Sequence, residues 1–135
     1  MTKWRVGCAV VLATFYAAGA SHGDTCTHLT QPGGVKSFLD ARSPNAGRCD
    51  DAADGSRSCR WAFALQDPRG REIYDALARR LMACAKSWEH DTGVNHPDSY
   101  LAITIKLEEN ALRLSLKDKA ALDATYLFYT RNPGN

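Results

Sequence analysis

Imidazoles and carboxylates gather at one place in this chain, where Glu89-His90-Asp91 is followed by His96-Pro97-Asp98. Nitrogen and oxygen donors of this kind can hold zinc or orient a general base for metal-assisted hydrolysis. The spacing is not that of a rigid site: His90 and His96 stand six apart with Gly93 and Pro97 between them, whereas histidine pairs on a helix recur at an offset of about four. A small metal-binding protein or metal-assisted hydrolase built on His90, Asp91, His96 and Asp98 is one expectation. The plainer one is a polar loop in which Asp98 leads the chain into a strand.

Other chemistry is thinner still. No serine lies in a Gly-x-Ser-x-Gly elbow, and Ser115 sits between Leu114 and Leu116 as a mid-strand residue would. The carboxylate pairs Asp50-Asp51 and Glu108-Glu109 are adjacent in sequence, so on a strand their members point to opposite faces. They read as solubilising residues at hairpin ends. Gln31-Pro32-Gly33-Gly34 lacks the preceding strand of a phosphate loop, and Val35 instead of a lysine follows its last glycine. No cofactor is expected, and the chain reads as a binding protein more readily than as an enzyme.

The cysteines gain meaning from the front of the chain. Lys3 and Arg5 precede an apolar run from Val6 to Ala18, and Ala18-Gly19-Ala20 has the small residues of a cleavage site. This predicts an export leader over residues 1–20, too short in its apolar part for a lasting span of about 20 residues, and hence no stable membrane anchor. Without the leader, Cys26, Cys49, Cys59 and Cys84 remain, an even set expected as disulfides in an exported protein. The seventeen Lys and Arg fall to fifteen once Lys3 and Arg5 leave, equal to the fifteen Asp and Glu. A formally neutral body argues against nucleic acid, whose binders carry a basic excess on one face.

The elements that must position these groups make one α+β domain over residues 21–135. A helix is expected over 67–88: Asp67 caps it, Pro68 opens it, and Ile73, Leu77, Leu81, Cys84 and Trp88 form one apolar stripe. Its other side carries Arg71, Asp75, Arg79 and Lys86, a solvated face. Before it, Cys59, Trp61, Phe63 and Leu65 alternate onto one face of a strand. If the helix ran back along that strand, about 20 Å of strand and about 24 Å of helix would bring Cys84 over Cys59. That geometry favours Cys59 with Cys84 and, by subtraction, Cys26 with Cys49. Cys49 with Cys59 is the competing pairing, symmetric about Asp54 in a hairpin whose Gly55 suits a left-handed residue.

Farther on, Leu101, Ile103, Ile105 and Leu107 alternate with polar or small residues, as do Leu112, Leu114 and Leu116. A turn at Glu109-Asn110 would set Leu107 against Leu112, Ile105 against Leu114 and Ile103 against Leu116. A short helix around Val35 to Ala41 and a final aromatic strand from Thr125 to Thr130 complete the set, with the tail from Asn132 frayed. The expected architecture is two layers, an antiparallel sheet of about five strands on one long helix.

One surface then remains, the sheet face away from the helix. It would bear Tyr100, Thr104, Lys106, Arg113, Ser115 and Lys117, with Tyr126 and Phe128 or else Leu127 and Tyr129 according to phase. Aromatics among arginines are the composition of a protein interface. The leading expectation is a non-enzymatic periplasmic or secreted binding protein, an inhibitor or immunity-type partner of a bacterial hydrolase or toxin. An envelope structural or assembly factor, including a homodimer formed through the last strand, is a third expectation beside the metal-binding one.

Overall fold

The computed structural model describes residues 22–91 and 100–133. The expected leader and the candidate ligands His96 and Asp98 lie outside these residues. In chain order the elements are α1 (His22–Thr30), α2 (Gly34–Asp40), β1 (Arg48–Asp51), β2 (Arg57–Ala64), α3 (Pro68–Cys84), β3 (Ser87–Asp91), β4 (Tyr100–Lys106), β5 (Asn110–Lys119), a 3-10 turn at Ala120–Leu122 and β6 (Ala124–Pro133). The six strands form one antiparallel sheet in the order β1-β2-β6-β5-β4-β3. This is the expected α+β architecture, with a long helix and short N-terminal helices on a single domain.

Binary patterning explains the layers. Cys59, Trp61 and Phe63 of β2, Leu112, Leu114 and Leu116 of β5, Ile103 and Ile105 of β4, and Leu127 and Tyr129 of β6 enter one core with Ile73, Leu77 and Leu81 of α3 and Val35, Phe38 and Leu39 of α2. The start of α3 follows the expected chemistry: Asp67 accepts from the Arg69 backbone N–H at 3.0 Å, with Pro68 in the first turn. Bonds from Arg69 outweigh the small cost of burial and hold the Asp67 carboxyl below its usual range. Gly70 lies against Leu116 and Phe63, so the helix begins close to the sheet.

α3 stops at Cys84, four residues short of the expected end, because Ala85 turns extended (ψ 146°). Lys86 then donates its backbone N–H to Lys106 O at 2.9 Å. Ser87–Asp91 pairs with β4 as an edge strand. The pairing satisfies backbone groups that β4 would otherwise leave open, and Trp88 leaves the helical stripe for that strand.

The pairing of cysteines also differs from the favoured expectation. Cys26 is joined to Cys84 and Cys49 to Cys59, with Cα separations of 5.4 and 4.0 Å. α3 lies chiefly over β4, β5 and β6 and against α1 instead of running back along β2, so Cys84 arrives at α1. Cys49 meanwhile stands directly opposite Cys59 in the β1–β2 ladder, and Gly55 in the intervening turn has φ 84°.

The β4–β5 hairpin is offset from its expected register by two residues. Ile105 faces Leu112, Ile103 faces Leu114 and Leu101 faces Leu116, with Leu107 N–H bonded to Asn110 O at 2.8 Å. The turn therefore falls on Glu108-Glu109. A slip of two preserves the buried face, so the apolar pattern cannot distinguish the two registers. β6 runs on to Pro133, so Asn132 and Pro133 belong to the sheet, pairing with Ala111 and Asn110. It is also central, flanked by β2 and β5, which removes the last strand as an edge for self-association.

Candidate functional site: the open face of the sheet

All three helices contribute their buried side chains to one core on one side of the sheet. The ladder then assigns the opposite face without ambiguity, since cross-strand partners share a face. Thr104 is paired with Arg113 and Arg113 with Thr130; Ala102 with Ser115 and Ser115 with Phe128; Tyr100 with Lys117 and Lys117 with Tyr126. Phe128 and Tyr126 in turn pair with Arg60 and Ala62. Tyr100, Thr104, Lys106, Arg113, Lys117, Tyr126 and Phe128 thus occupy one face. Leu127 and Tyr129 are core residues, which decides the phase of the final strand.

Two clusters organise this face. Tyr126 and Phe128 stack with ring centroids 5.8 Å apart at 25°, and the Lys119 ammonium lies 5.9 Å from the first ring and 5.5 Å from the second. Such cation and ring arrangements are worth about 0.5–1 kcal/mol where exposed. The second cluster is centred on Arg113, whose guanidinium donates to Thr104 Oγ1 at 3.0 Å, Tyr100 OH at 2.6 Å and Asp91 Oδ2 at 3.3 Å. Burial works against the Arg113 charge, but Tyr100 and Asp91 overcome it and hold the guanidinium above its usual value. The side chain is a fixed cation, pinned from β4 and β3 at once.

Beside the aromatic pair the face is concave. A depression of about 470 Å³ is lined by Asn45, Ala46, Arg48, Arg60, Ala62 and Tyr126. Arg48, Arg60 and Lys119 join the face without having been expected there. The alternation of Cys59, Trp61 and Phe63 already turns Arg60 outward, but its neighbours across β6 depend on strand order. Arg48, Arg60, Lys106, Arg113, Lys117 and Lys119 make the face basic, with Asp50, Glu89 and Asp91 as the acids along β1 and β3.

No family model and no curated protein matches this chain. Two solved structures are similar to it, one a point mutant of protein Mog1 and the other the Saccharomyces cerevisiae Ran-binding protein Mog1p. Each has a TM-score of 0.35 at 12% identity over 67% of this chain. The chain spans 59% of the length of each. A superposition this loose transfers no function, and the site rests on its own geometry.

Of the candidate metal ligands, His90 and Asp91 lie within the described residues and are turned apart. His90 pairs with Ile103 and Asp91 with Ala102, so the two project from opposite faces of β3. Asp91 is bonded to Arg113, while His90 packs edge-on to Trp88 with centroids 5.1 Å apart. Among the described residues no group of three His, Cys, Asp or Glu side chains is placed to share a cation. Likewise, among the described residues no helix is long and apolar enough to cross a membrane.

Proposed function

We propose that this chain is a protein-binding domain of an oxidising compartment, periplasmic or secreted, that engages its partner through the open sheet face as an inhibitor or immunity-type protein engages a bacterial hydrolase or toxin. The observation that carries this reading is the half-buried stack of Tyr126 and Phe128 on the face away from the helices, bordered by Lys119, Arg60 and the pinned Arg113 and opening onto the depression under Arg48. Rigid aromatics beside arginines are the residue types that dominate binding energy in protein interfaces. The excess of cations selects a partner with an acidic surface and speeds encounter with it. Two disulfides fit an oxidising compartment, where such bonds persist.

The test compares the wild type with Tyr126→Ala/Phe128→Ala as immobilised bait in a native periplasmic extract, followed by titration of the recovered partner. The double variant should bind at least about tenfold more weakly, the equivalent of roughly 1.4 kcal/mol, with an unchanged far-ultraviolet spectrum. Equal capture by both baits, or no partner for either, would overturn the reading.

Self-association has a specific observation of its own. β3 is an edge strand, and Trp88 on it is 51% exposed. An exposed edge with a large apolar side chain invites pairing with a second strand. If β3 joins two copies, light scattering should show a concentration-dependent dimer that Trp88→Ser weakens severalfold; a monomer at every concentration removes this mode.

A further inference from the structure

Arg57 and Arg131 stand directly opposite one another on β2 and β6, on the helix side of the sheet. Like charges paired across strands repel, and the neighbouring acids do not neutralise both. Asp51 Oδ1 is 3.6 Å from Arg57 Nε, beyond hydrogen-bond reach, on a side chain 74% exposed. Asp40 is engaged by Lys36, the Gly47 N–H and the Trp61 indole. Arg131 has no ion-pair partner among the described residues, and the Arg57 Nε is itself buried without a hydrogen-bond acceptor although the rest of that side chain reaches solvent, 41% exposed. A buried donor without an acceptor is rare in native folds and points to a group the protein itself does not supply.

These side chains share a cavity of about 230 Å³, whose lining includes Lys36, Arg57, Arg131, Asp51 and Tyr129. With Lys36 already paired to Asp40, the two guanidiniums face one carboxylate there. We propose that this cavity is an oxyanion site, receiving a carboxylate or phosphate group between the guanidiniums of Arg57 and Arg131, with the Tyr129 hydroxyl as a further donor. Guanidiniums offer paired N–H groups that match the oxygen spacing of such anions. Burial pushes the Tyr129 phenol up while Arg131 and Arg57 pull it the other way, and the net rise keeps it protonated and able to donate. The volume is below the range of ordinary small-molecule sites. It admits a small free anion or the charged end group of a larger molecule. An anion at this point also converts the repulsion between the two arginines into a bridge from β2 to β6.

Thermal unfolding in phosphate, in acetate and in chloride, at matched ionic strength, tests the site on the intact protein. Either oxyanion should raise the midpoint by about 3–5 °C over chloride at a concentration several times its dissociation constant. A rise with phosphate alone assigns a tetrahedral ligand, and a rise with both assigns oxyanions in general. Arg131→Gln should lose the rise while being no less stable than the wild type in chloride, since it removes a like-charge pair. Lys117→Gln, on the opposite face, should keep it. No rise in either anion, or a rise that survives Arg131→Gln, overturns the proposal. Should the variant fail to fold, phosphate titration of the wild type followed at the Arg57 Nε–H resonance decides: a saturable shift supports the site and an unmoved signal removes it.

Discussion

Replacing Cys26 and Cys84 together by alanine should lower the unfolding free energy by about 4 kcal/mol, whereas replacing Cys49 and Cys59 should cost about 3 kcal/mol. The difference follows from loop length. The first bridge spans 58 residues and the second 10, and a cross-link removes more freedom from the unfolded chain when it closes the longer loop. The first bridge also ties α1 to the end of α3, where the chain leaves the helix for β3. Its loss should free α1 before the sheet opens, while loss of the second loosens only the β1–β2 hairpin. Denaturant titration of the two double variants measures the gap, and protease sensitivity near residue 30 locates it. Equal destabilisation, or unreduced peptides linking Cys26 to Cys49, would contradict this arrangement.

Asp40→Ala should cost about 3 kcal/mol. Asp40 Oδ1 accepts from the Gly47 N–H at 2.7 Å and from the Trp61 indole N–H at 2.9 Å, and Lys36 is bonded to the other oxygen. Trp61 is buried in the core, so removing the carboxylate strands a buried indole donor as well as a backbone one. Hydrogen bonds to a charged acceptor contribute about 1.5–3 kcal/mol each, and a stranded donor adds its desolvation penalty. There is no room to compensate by filling space: a Cβ on Gly47 would come within 2.3 Å of the Trp61 ring.

The same carboxylate makes stability depend on acidity with a definite sign. Burial pushes the Asp40 carboxyl up, but the bonds from Gly47, Lys36 and Trp61 outweigh it and hold the group below the ordinary aspartate value. A carboxyl with a depressed folded pKa stabilises the fold above its unfolded value, and that contribution disappears as pH falls through the folded value. Stability of the wild type should therefore decline on acidification below about pH 4, and Asp40→Asn should flatten that decline while lowering the plateau at neutral pH. Parallel curves for the two proteins would show that Asp40 is not the linked group.

The periodic features are legible in the order of the amino acids alone. Asp67-Pro68 marks the start of α3, and the alternation of Cys59, Trp61 and Phe63 and of Ile103 and Ile105 places the core faces, because both signals are local and depend on the repeat of one element. The outward set from Tyr100 to Lys117 follows from the same alternation. The aromatic phase of β6 is ambiguous at that level, since Tyr126-Leu127-Phe128-Tyr129 offers an apolar residue on either face. Trp88 fits a helical stripe by spacing, yet an unpaired β4 edge draws it into a strand.

What the sequence determines by itself is therefore one-dimensional: two layers, the apolar stripes, the helix cap, and four cysteines with a reason to be oxidised. Tertiary structure decides everything that depends on which element lies beside which. It chooses between two hairpin registers that bury the same leucines, because a shift of two residues leaves the face unchanged. It pairs Cys84 with Cys26, because α3 crosses the far half of the sheet and ends at α1. It sets Arg57 against Arg131 and Phe128 beside Arg60, because β6 inserts between β2 and β5 although α3 and three strands separate it from β2 along the chain. Local periodicity carries no term for such an insertion, so the outward residues from Tyr100 to Lys117 can be named from sequence while the phase of β6, the clusters on the face and the cavity behind it arise only from the tertiary structure.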